Sequence, residues 1–584
     1  MSDPAFLHVD RSATGRRWEG PDPRTERLGA AIAQAASLPE IVGRVLAARG
    51  VAPHEAQAHL APTLRDLMPD PSRLRDMDAA AARIHRAARR GERIAVFADY
   101  DVDGGASAAL ILTWLRAQGR DATLYVPDRI DEGYGPNVPA MAALGRAHDL
   151  IICVDCGTLS HEPVAAAACD VIVLDHHQAA ATLPAALAVV NPNRQDETGE
   201  LGHLCAAGVV FLTLVAVNRL MRAEGAPGPD LMPLLDLVAL ATVADVAPLV
   251  GLNRAFVRQG LALMRGRLRP GVAALAEAAG LVTAPGVHSL GFVLGPRVNA
   301  GGRVGAADLG ARLLATADPH EAAALAERLD QLNLERKAIE AEVLARALAA
   351  AEANGVDGPL VWAAGDGWHP GVVGIVAARL KEAFGRPALV VGFAGEAGKG
   401  SGRSIAGVDL GAAVARLAAE GLIEKGGGHR MAAGVSLARG QLAPAMERLA
   451  ALVARAAAAP ETGRPLRVTG LVPPAADLAL AEAILAAGPY GAEAPAPRVV
   501  VAEARLAGLR RMAGGHLGLT LADGAARLDA VAFRAAEGPL GAFLAAAVGA
   551  RVHLAGRLEL DDWGGRRRVK LHIEDAAPAG GAAA

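Results

Sequence analysis

Residues 94–105 read IAVFADYDVDGG, a five-residue apolar run followed at once by three aspartates and two glycines. Similar short β-type runs recur along the chain and alternate with Ala-rich helical stretches: ATLYV (122–126), LIICV (150–154) and VIVL (171–174). Uninterrupted apolar strands that alternate with helices are typical of a parallel sheet buried on both faces. The sequence therefore predicts an α/β fold around a parallel sheet.

The remaining sequence predicts further segments on either side of this sheet. Leucines, isoleucine and valine recur at helical spacing between Glu321 and Asn354, which predicts one long helix that ends at Gly355. Short alternating runs after the AAAAPETGRP linker (456–465) favour a small β-barrel. We predict a helical lead-in (1–90), an α/β domain (91–320), a connector helix (321–355), a smaller α/β domain (356–456) and a barrel (465–576).

Composition narrows the class of protein. The 584 residues are 52 % hydrophobic and 21 % charged, which is too apolar for a disordered chain. The longest charge-free apolar stretch, Leu204 to Val217, is shorter than the roughly 18 residues of a membrane span. The N-terminus carries no apolar segment typical of export, so we expect a cytoplasmic protein with no membrane partner. A formal net charge of −3 means that a polyanion would be bound by local patches or by metal ions.

The four cysteines lie close together in the sequence, at positions 153, 156, 169 and 205. Cys153 and Cys156 form a lone CxxC, which leaves a redox motif as one alternative. The pair ends an apolar run and brackets Asp155, so buried structural thiols are the favoured interpretation.

Polar groups follow directly after three of the predicted strands. They are Asp99, Asp101 and Asp103 after the first run, Asp155 after the third, and Asp175, His176 and His177 after the fourth. Because the carboxyl ends of parallel strands line one crevice, we expect these side chains to converge there. Asp245, which ends the apolar helical run LLDLVALATVA, is a candidate for the same cluster.

Acids at this density repel each other unless a cation or protonation intervenes. Mixed carboxylate and imidazole ligands suit Mn²⁺, and also Mg²⁺ where fewer histidines bind. Taken singly, a DxDG loop is compatible with a solvated turn, DHH with chance, and Asp245 with an exposed helix end. Together they predict a polynuclear metal site, and two divalent ions favour phosphoester hydrolysis.

The same residues resemble a known family, the DHH phosphoesterases. The segments that carry the resemblance are ADYDVDG (98–104), VPDRIDEGYG (126–135), VDCGT (154–158), DHH (175–177), NPNR (191–194), CAAGVVF (205–211) and ATVADVAPL (241–249). A second set is similar to one branch of that family, the RecJ exonucleases with their DHHA1 domain: GPRVNAGGR (295–303), LNLERK (332–337), GWHPGVVGIVAARL (367–380), GKGSGRS (398–404) and GGH (427–429). The resemblance runs from about residue 38 to about residue 575.

The resemblance implies a 5′→3′ exonuclease on single-stranded DNA that releases 5′-mononucleotides and acts in recombination and repair. It implies two Mn²⁺ or Mg²⁺ ions as cofactors. By motif position, the implied metal ligands are Asp99, Asp101, Asp103, Asp155, His176 and Asp245. His177 is implied as a ligand or as a partner of the scissile phosphate, and with Asp101 and Asp155 it forms the implied catalytic set.

The resemblance also assigns substrate-binding residues. Arg129, Ser401 and Arg403 correspond to groups that hold the 5′-phosphate, and arginine forks match phosphate geometry. Arg297, Asn299 and Arg303 occupy the PRxNAxGR motif beside the substrate path. His429 in GGH corresponds to a contact with the terminal nucleotide, although a turn with a packed imidazole is the alternative.

The predicted barrel resembles an OB fold, a fold that binds single strands through basic grooves and stacked rings. A basic stripe is expected from Arg510, Arg511, Arg566, Arg567, Arg568 and Lys570, with an exposed solubilising face as the alternative. Ring candidates are scarce: Tyr490, Phe533, Phe543 and Trp563. The family implies a helicase and single-strand-binding protein as partners, and we expect a monomer.

Two positions depart from the family pattern. Ala106 stands where the family usually has threonine, and GPYGAEAPAP (488–497), expected to be a surface motif, lacks an asparagine. Neither position is an implied metal ligand, so activity is still expected. Two other functions stay open at this stage: a small-substrate hydrolase such as a nano-RNase or family II pyrophosphatase, and a non-catalytic replication factor that keeps the fold as a binding module.

Overall fold

The computed structural model describes residues 4–454, 465–524, 526–561 and 567–580. The chain divides into two compact units. The larger unit comprises Pro69–Ala247 and Phe256–Pro460, and the smaller unit comprises Met1–Met68, Pro248–Ala255 and Glu461–Ala584. Residues 456–464 of the predicted linker, together with Trp563 and Arg566, lie outside the described residues.

The strands follow in chain order. They are β1 (Trp18–Glu19), β2 (Ile94–Ala98), β3 (Ala122–Tyr125), β4 (Leu150–Val154), β5 (Asp170–Leu174), β6 (Ala188–Val190), β7 (Val361–Asp366), β8 (Ala388–Ala394), β9 (Ala397–Arg403), β10 (Lys425–His429), β11 (Ala432–Ala438), β12 (Leu466–Arg467), β13 (Gly470–Val472), β14 (Val499–Met512), β15 (His516–Asp523), β16 (Ala526–Ala532), β17 (Arg551–Asp561) and β18 (Arg568–Pro578).

The α-helices follow in the same way. They are α1 (Pro23–Ala36), α2 (Glu40–Ala48), α3 (Ala56–Leu60), α4 (Leu64–Leu67), α5 (Met77–Arg90), α6 (Val102–Arg116), α7 (Val138–Ala147), α8 (His161–Ala165), α9 (Ala206–Ala223), α10 (Leu235–Ala244), α11 (Gly251–Met264), α12 (Pro270–Ala278), α13 (Val287–Ser289), α14 (Gly295–Val304), α15 (Leu309–Ala315), α16 (Pro319–Asn354), α17 (Pro370–Phe384), α18 (Leu410–Ala419), α19 (Leu442–Ala454), α20 (Leu478–Ala486) and α21 (Pro539–Ala546). A π-helical segment, Leu290–Leu294, joins α13 to α14.

The first sheet of the larger unit is parallel throughout and has the strand order β3-β2-β4-β5-β6. Every residue of β2 and β4 is buried, because helices cover both faces of the sheet. The apolar runs therefore form the predicted strands. Their carboxyl ends lie side by side, which places the polar residues that follow them at one edge.

The second sheet of the larger unit is mixed, with the order β10-β11-β9-β8-β7. Strands β7 and β8 are parallel, whereas β8, β9, β11 and β10 pair antiparallel. A single helix, α16, precedes this sheet, begins after its cap Asp318 and ends at Gly355. The long helix predicted from the leucine spacing is thus present.

The smaller unit contains a closed five-stranded barrel. Its order is β14-β15-β16-β18-β17, and β14 pairs again with β17 to close the ring. Strands β16 and β18 are parallel and the other barrel pairs are antiparallel. Inward leucines and valines of these strands share one core with α1 and α2.

The N-terminal segment is part of this smaller unit. Strand β1 pairs with β12, and the fully buried Asp575 accepts hydrogen bonds from Ser12 Oγ at 2.6 Å and from Trp18 Nε1 at 3.1 Å. Residues 1–90, predicted as one lead-in, therefore divide: residues up to Met68 cluster with the barrel, and α5 belongs to the larger unit. Contacts of such large sequence separation carry no local signal in the sequence.

Helix α9 is long and apolar enough to cross a membrane by length and composition, and it contains most of the Leu204–Val217 stretch. Of its 18-residue window, 72 % is buried inside the protein, as in the core helix of a globular domain. Cys153 and Cys156 are likewise buried, and both thiols are free. The burial of both cysteines agrees with their interpretation as structural thiols.

Candidate active site

The loop after β2 begins the site. Asp101 caps helix α6, and its Oδ1 accepts the backbone N–H groups of Asp103 at 2.9 Å and Gly104 at 3.2 Å. A Cβ at Gly104 would lie 2.4 Å from the Asp99 carbonyl oxygen, so only glycine fits this turn. The DxDG spacing therefore folds the chain so that Asp99, Asp101 and Asp103 are held close together.

Asp155 follows β4 with a φ of +60°, a left-handed conformation that is unusual for a residue with a side chain. Its side chain is buried, and its Oδ1 lies 3.3 Å from His176 Nε2 while accepting no hydrogen bond. Backbone strain of this kind persists where the surrounding structure demands it, which is often at functional sites.

The DHH tripeptide follows β5, and its aspartate forms hydrogen bonds to both histidines. Asp175 Oδ1 accepts the backbone N–H of His176 at 2.7 Å and lies 2.8 Å from His177 Nδ1. Although burial acts in the opposite direction, the hydrogen bond and charge of His177 hold the pKa of Asp175 below its ordinary value. An ionised carboxylate only accepts, so His177 Nδ1 is the donor. Burial opposes the charged form of His177, but its bond with Asp175 raises the pKa of His177 to about 9.

Two asparagines support this turn from behind. Asn191 Nδ2 donates to Thr158 Oγ1 and to the carbonyl of His177, both at 2.8 Å, and Asn193 Nδ2 donates to the carbonyl of His176. Both belong to NPNR, a segment that had no predicted role. Only the motif marks these asparagines in the sequence. In the structure they hold the backbone of the two histidines in place.

Asp103 and Asp245 enter from helix ends. Asp103 is buried, and its two oxygens accept the N–H groups of Ala206 at 2.7 Å and Ala207 at 2.8 Å, at the N-terminus of α9. Asp245 caps the C-terminus of α10, and its Oδ2 lies 3.8 Å from His176 Nε2. Asp245, the predicted member most distant in sequence, therefore lies beside His176.

The acids and histidines form three overlapping groups in which the candidate ligand atoms lie within 4.8 Å of one another. The groups are Asp99, Asp101 and Asp155; Asp103, His176 and Asp245; and Asp155, His176 and His177. All six predicted metal ligands and His177 are included. Asp155 belongs to the first and third groups and His176 to the second and third, so the third group links the other two.

The electrostatics of these residues call for cations. Burial, and then the charge of Asp101, raises the pKa of Asp99 well above its usual value, and burial and neighbouring acids do the same for Asp155. Burial, and then Asp103 and Asp101, raises the pKa of Asp245 to about 8. Oδ1 of Asp99 and of Asp155 are buried without a hydrogen-bond donor. Oxygen-rich ligands of this kind, with one or two imidazoles, fit Mn²⁺ or Mg²⁺.

Three arginines lie beside the acids. The guanidinium of Arg129 is 5.1 Å from the centre of the Tyr100 ring, Arg303 Nη1 donates to the carbonyl of Gly371 at 3.1 Å, and Arg403 Nη1 donates to Ser401 Oγ at 2.9 Å. Burial and the charge of Arg129 lower the pKa of Arg403, and burial with Arg129 and Arg336 lowers that of Arg303 to about 10. Within the described ranges none of the three is paired with an acid. Three such cations are chemically suited to an anion.

Two residues of the PRxNAxGR motif make contacts inside the protein. Arg297 Nε pairs with Asp330 at 2.8 Å and its Nη1 donates to the carbonyl of Val293 at 2.8 Å. Asn299 Oδ1 accepts the N–H of Val102 at 3.0 Å, which ties α14 to the DxDG loop. Their implied place beside the substrate path stays a prediction, whereas these contacts position the helix and the loop.

Tyr134 and His429 lie next to His177. The Tyr134 hydroxyl donates to the carbonyl of Asp155 at 3.0 Å, and its ring packs edge-on against His177. The His429 ring is 6.4 Å from the His177 ring, roughly parallel to it. His429 therefore lies beside His177, and its contact with the terminal nucleotide stays a prediction. Tyr134 is a further member whose motif, EGYG, the sequence analysis quoted without assigning a role.

The two departures from the family pattern have different surroundings. Ala106 is fully buried in α6. Tyr490 of GPYGAEAPAP packs against the barrel core, donates to the carbonyl of Ile484 and lies 5.0 Å from the Arg49 guanidinium. Tyr490 therefore anchors the segment on the barrel core, while Gly491, Glu493 and Pro495 are exposed, so the segment lies at the surface of the smaller unit as expected.

The outer face of the barrel carries rings and cations. Phe533 lies 5.1 Å from His516 and 4.9 Å from His572, centre to centre, and is 56 % exposed. Arg510 lies in a row of paired residues that crosses the barrel strands. The row runs from Arg510 on β14 to Gly518 on β15, Val531 on β16 and His572 on β18. Arg567 pairs with Glu482 and Lys570 with Asp561, so the predicted basic stripe is partly neutralised. The histidines of this cluster were missed because strand pairing alone brings them together.

Comparison with known families identifies the segments one by one. Residues 93–242 match the DHH family N-terminal domain, residues 357–458 the DHHA1 domain, and residues 470–575 the RecJ OB domain. A curated relative from Dickeya dadantii, the single-stranded-DNA-specific exonuclease RecJ, is 38 % identical over 571 residues, which cover 93 % of this chain and 96 % of that protein. The chain belongs to the RecJ family.

Other RecJ proteins agree in sequence and in structure. The Escherichia coli RecJ is 36 % identical and is covered over 96 % of its length by 93 % of this chain. The crystal structure of Thermus thermophilus RecJ in complex with Mn²⁺ superposes with a TM-score of 0.79 at 30 % identity, over 97 % of this chain and 81 % of that one. A second structure of that RecJ contains Mg²⁺ and gives a TM-score of 0.72. The fold is thus the one predicted: a parallel-sheet DHH domain and a smaller α/β DHHA1 domain joined by a long helix, then an OB-type barrel.

Proposed function

We propose that this protein is a metal-dependent, single-stranded-DNA-specific 5′→3′ exonuclease that releases 5′-mononucleotides and acts in recombination and repair. One observation carries the proposal. Buried carboxylate oxygens of Asp99 and Asp155 lack hydrogen-bond donors, and they lie in the same unit as three arginines without acidic partners. The carboxylates are suited to divalent cations and the arginines to a phosphate, and this combination suits metal-dependent hydrolysis of a phosphodiester.

The ligand groups suggest how two ions would be held. One group is Asp99, Asp101 and Asp155, and the other is Asp103, His176 and Asp245, with Asp155 also next to His176. When bound, Mn²⁺ or Mg²⁺ supplies a nucleophile at neutral pH and neutralises charge that develops on the phosphate. The donor set, the raised carboxyl pKa values and the unpaired oxygens all support this assignment.

The chain's own residues then bind and orient the substrate. Arg129, Arg303 and Arg403 present guanidinium groups to the 5′-phosphate, and Ser401, which already accepts from Arg403, adds a hydroxyl. Charge-assisted bonds to phosphate are stronger than neutral ones and favour a 5′-phosphorylated end. A pocket that binds the terminal phosphate makes the enzyme start at the 5′ end.

His177 supplies a positive, hydrogen-bonding ring beside the scissile phosphate. Its Nδ1–H is held by Asp175, which fixes the tautomer and the ring plane. The raised pKa of His177 keeps the ring protonated at neutral pH before ligands bind. Asp175 is in this proposal a positioning residue, and His429 contacts the terminal nucleotide from the facing strand.

The barrel supplies affinity for the strand. Phe533 with its two histidine neighbours offers π-faces, and exposed Arg510 offers a backbone contact, a combination that suits single strands without sequence preference. We keep the predicted domain boundaries from residue 91 onward as part of this proposal. Cytoplasmic location, a monomeric state, and a helicase and single-strand-binding protein as partners also remain proposals, supported by family membership.

The test is digestion of 5′-phosphorylated single strands by the purified protein with Mn²⁺, with Mg²⁺ or with EDTA. We expect stepwise release of mononucleotides from the 5′ end, no digestion in EDTA, and slow or absent digestion of duplex. Asp155→Ala is expected to abolish hydrolysis and to leave DNA binding largely intact, whereas the exposed acid Asp121, changed to Asn, serves as the matched control.

Two results would contradict the proposal. A preference for dinucleotides or pyrophosphate over long strands would indicate the small-substrate hydrolase. Tight binding of single strands without any metal-dependent cleavage would indicate the non-catalytic binding module.

A further inference from the structure

A cavity of about 1550 Å³ lies in the smaller unit, and every residue that lines it belongs to that unit. Six arginines of the described residues line this cavity. Four of them pair with acids: Arg17 with Asp10, Arg44 with Glu26 and Glu40, Arg467 with Glu19, and Arg498 with Glu574. Arg49 and Arg254 differ from these four because they share a carbonyl acceptor.

Arg49 and Arg254 meet at the C-terminal end of helix α20. Arg49 Nη1 donates to the carbonyl of Ala487 at 2.7 Å, and Arg254 Nη2 lies 3.5 Å from the same oxygen. Arg254 Nη2 also donates to the carbonyl of Gly488 at 3.0 Å. The C-terminus of a helix carries about half a negative charge, which draws the two cations together without balancing them.

His59 belongs to the same cluster. Its carbonyl accepts Arg254 Nη2 at 2.9 Å. Burial, and then the charges of Arg254 and Arg49, lower the pKa of His59 to about 4, so its ring lies near both guanidinium groups. Glu55 acts in the opposite direction but more weakly, and its Oε2 accepts the backbone N–H of Ala52. At pH 7 the imidazole is therefore neutral, and one ring nitrogen keeps a proton that it can donate.

Two nitrogen atoms of this cluster are buried and lack a hydrogen-bond partner. Within the part of the chain that the structure describes, they are Arg49 Nη2 and His59 Nε2. Burial lowers the pKa of Arg49, and no described carboxylate acts against this effect. A guanidinium nitrogen only donates, so the missing partner is an acceptor. Because the charge beside it is positive, an anion is the acceptor that suits this place.

We propose that Arg49, His59 and Arg254 bind a phosphate group in this cavity. Guanidinium forks match phosphate geometry, and three donor side chains suit the three free oxygens of a terminal phosphate better than the two oxygens of a carboxylate. Sites for small molecules typically measure about 300–1,000 Å³, so this cavity admits free phosphate or a phosphate carried by a mononucleotide. The site shares no residue with the candidate active site and does not depend on the proposed function.

NMR spectroscopy of the full-length protein labelled at histidine tests the site without catalysis. The protein is titrated in EDTA at pH 7 and constant ionic strength with orthophosphate, dTMP, thymidine or acetate, and the His59 signals are assigned by their loss in His59→Gln. We expect saturable shifts of the His59 signals with orthophosphate and with dTMP, and none with thymidine or acetate. A lower Kd for dTMP than for orthophosphate assigns the site to a nucleotide phosphate, and an equal or higher one assigns it to free phosphate.

Arg49→Gln should weaken the binding of orthophosphate at His59 by about 10- to 100-fold, the range for loss of a hydrogen bond to a charged group. Arg49→Lys keeps a donor for the carbonyl of Ala487 and should weaken binding by a smaller factor. Arg467→Gln is the matched control and should change the Kd less than twofold, because Arg467 lines the same cavity but pairs with Glu19.

Three results would overturn the inference. In the wild type, these are His59 signals that do not respond to orthophosphate, or that respond equally to thymidine or acetate. In the variants, it is an unchanged Kd for orthophosphate in both Arg49→Gln and Arg49→Lys. None of these measurements involves cleavage, so a wild type that digests no single strand in Mn²⁺ would refute the proposed function and leave the phosphate site as it stands.

Discussion

Asp245→Asn should stabilise the metal-free protein while weakening its affinity for Mn²⁺. The folded protein raises the pKa of Asp245 from 3.8 to about 8, mainly by burial and then by Asp103 and Asp101. An acid with a raised folded pKa adds no penalty below pH 4, and its penalty grows as the pH rises toward 8, because the folded state resists ionisation. At pH 7 the pH is about 3 units above the ordinary pKa of Asp245, and each of these pH units adds a penalty of about 1.36 kcal/mol. With allowance for a side chain that is 28 % exposed, the penalty is about 2–4 kcal/mol.

The assay is urea unfolding in EDTA between pH 5 and pH 8, for the wild type and the variant. The gain in unfolding free energy should be about 1 kcal/mol near pH 5 and increase with pH, because the amide resembles the protonated acid. Saturating Mn²⁺ should stabilise the wild type more than the variant. Asp103→Asn is the contrasting variant: its amide leaves one acceptor for the two N–H groups of Ala206 and Ala207, so near pH 5 it should lower stability by about 1–3 kcal/mol. Burial also raises the pKa of Asp103, so this loss should shrink as the pH rises. A gain for Asp245→Asn that does not change with pH, or no gain at all, would refute the reasoning.

Three further predictions concern other parts of the molecule. Asp175→Asn should lower the pKa of His177 from about 9 toward or below 6.5, because the Nδ1–H loses its carboxylate partner. NMR titration of labelled histidine in EDTA measures this pKa, and an unchanged value would show that Asp175 does not set it. Arg403→Ala should lower the ratio of the rates on 5′-phosphate and 5′-hydroxyl strands by about 10- to 100-fold, as expected for loss of a charged hydrogen bond. An unchanged ratio would count against the phosphate pocket. Asp575→Ala should destabilise the smaller unit by about 2–4 kcal/mol, because Trp18 loses a buried acceptor; faster proteolysis near the N-terminus would reveal it, and wild-type resistance would contradict it.

The fold was predictable where it depends on local pattern. Apolar runs such as 94–98 and 150–154 are buried on both faces, and a parallel sheet is the arrangement that accepts such strands. The end of α16 at Gly355 follows from helical spacing and a terminal glycine. The assignment of residues 1–68 to the barrel was not predictable, because the contact of Trp18 with Asp575 joins positions 557 apart in the sequence.

The same distinction holds within the site. Side chains that directly follow strands, such as Asp99 and Asp155, converge because strand ends converge, and topology alone predicts this. Arg297 was expected beside the substrate, and its guanidinium pairs with Asp330 and donates to the carbonyl of Val293 in the π-helical segment. No periodicity in the sequence marks a π-helical segment. The partners of a long cation depend on such irregular backbone, and therefore on the complete fold.

The acids of the metal cluster divide into two kinds by their hydrogen bonds. Asp101 and Asp103 accept backbone N–H groups, of α6 and of the N-terminus of α9, so they fix the loop and helix that carry them. Asp99 and Asp155 each keep a buried Oδ1 that accepts none. An unpaired buried oxygen is expensive in a protein that has no use for it. In the proposed metal site, the first kind preserves the geometry without metal and the second kind keeps oxygens free for the ions, so we expect the site to be formed before the ions bind and to be stabilised by them.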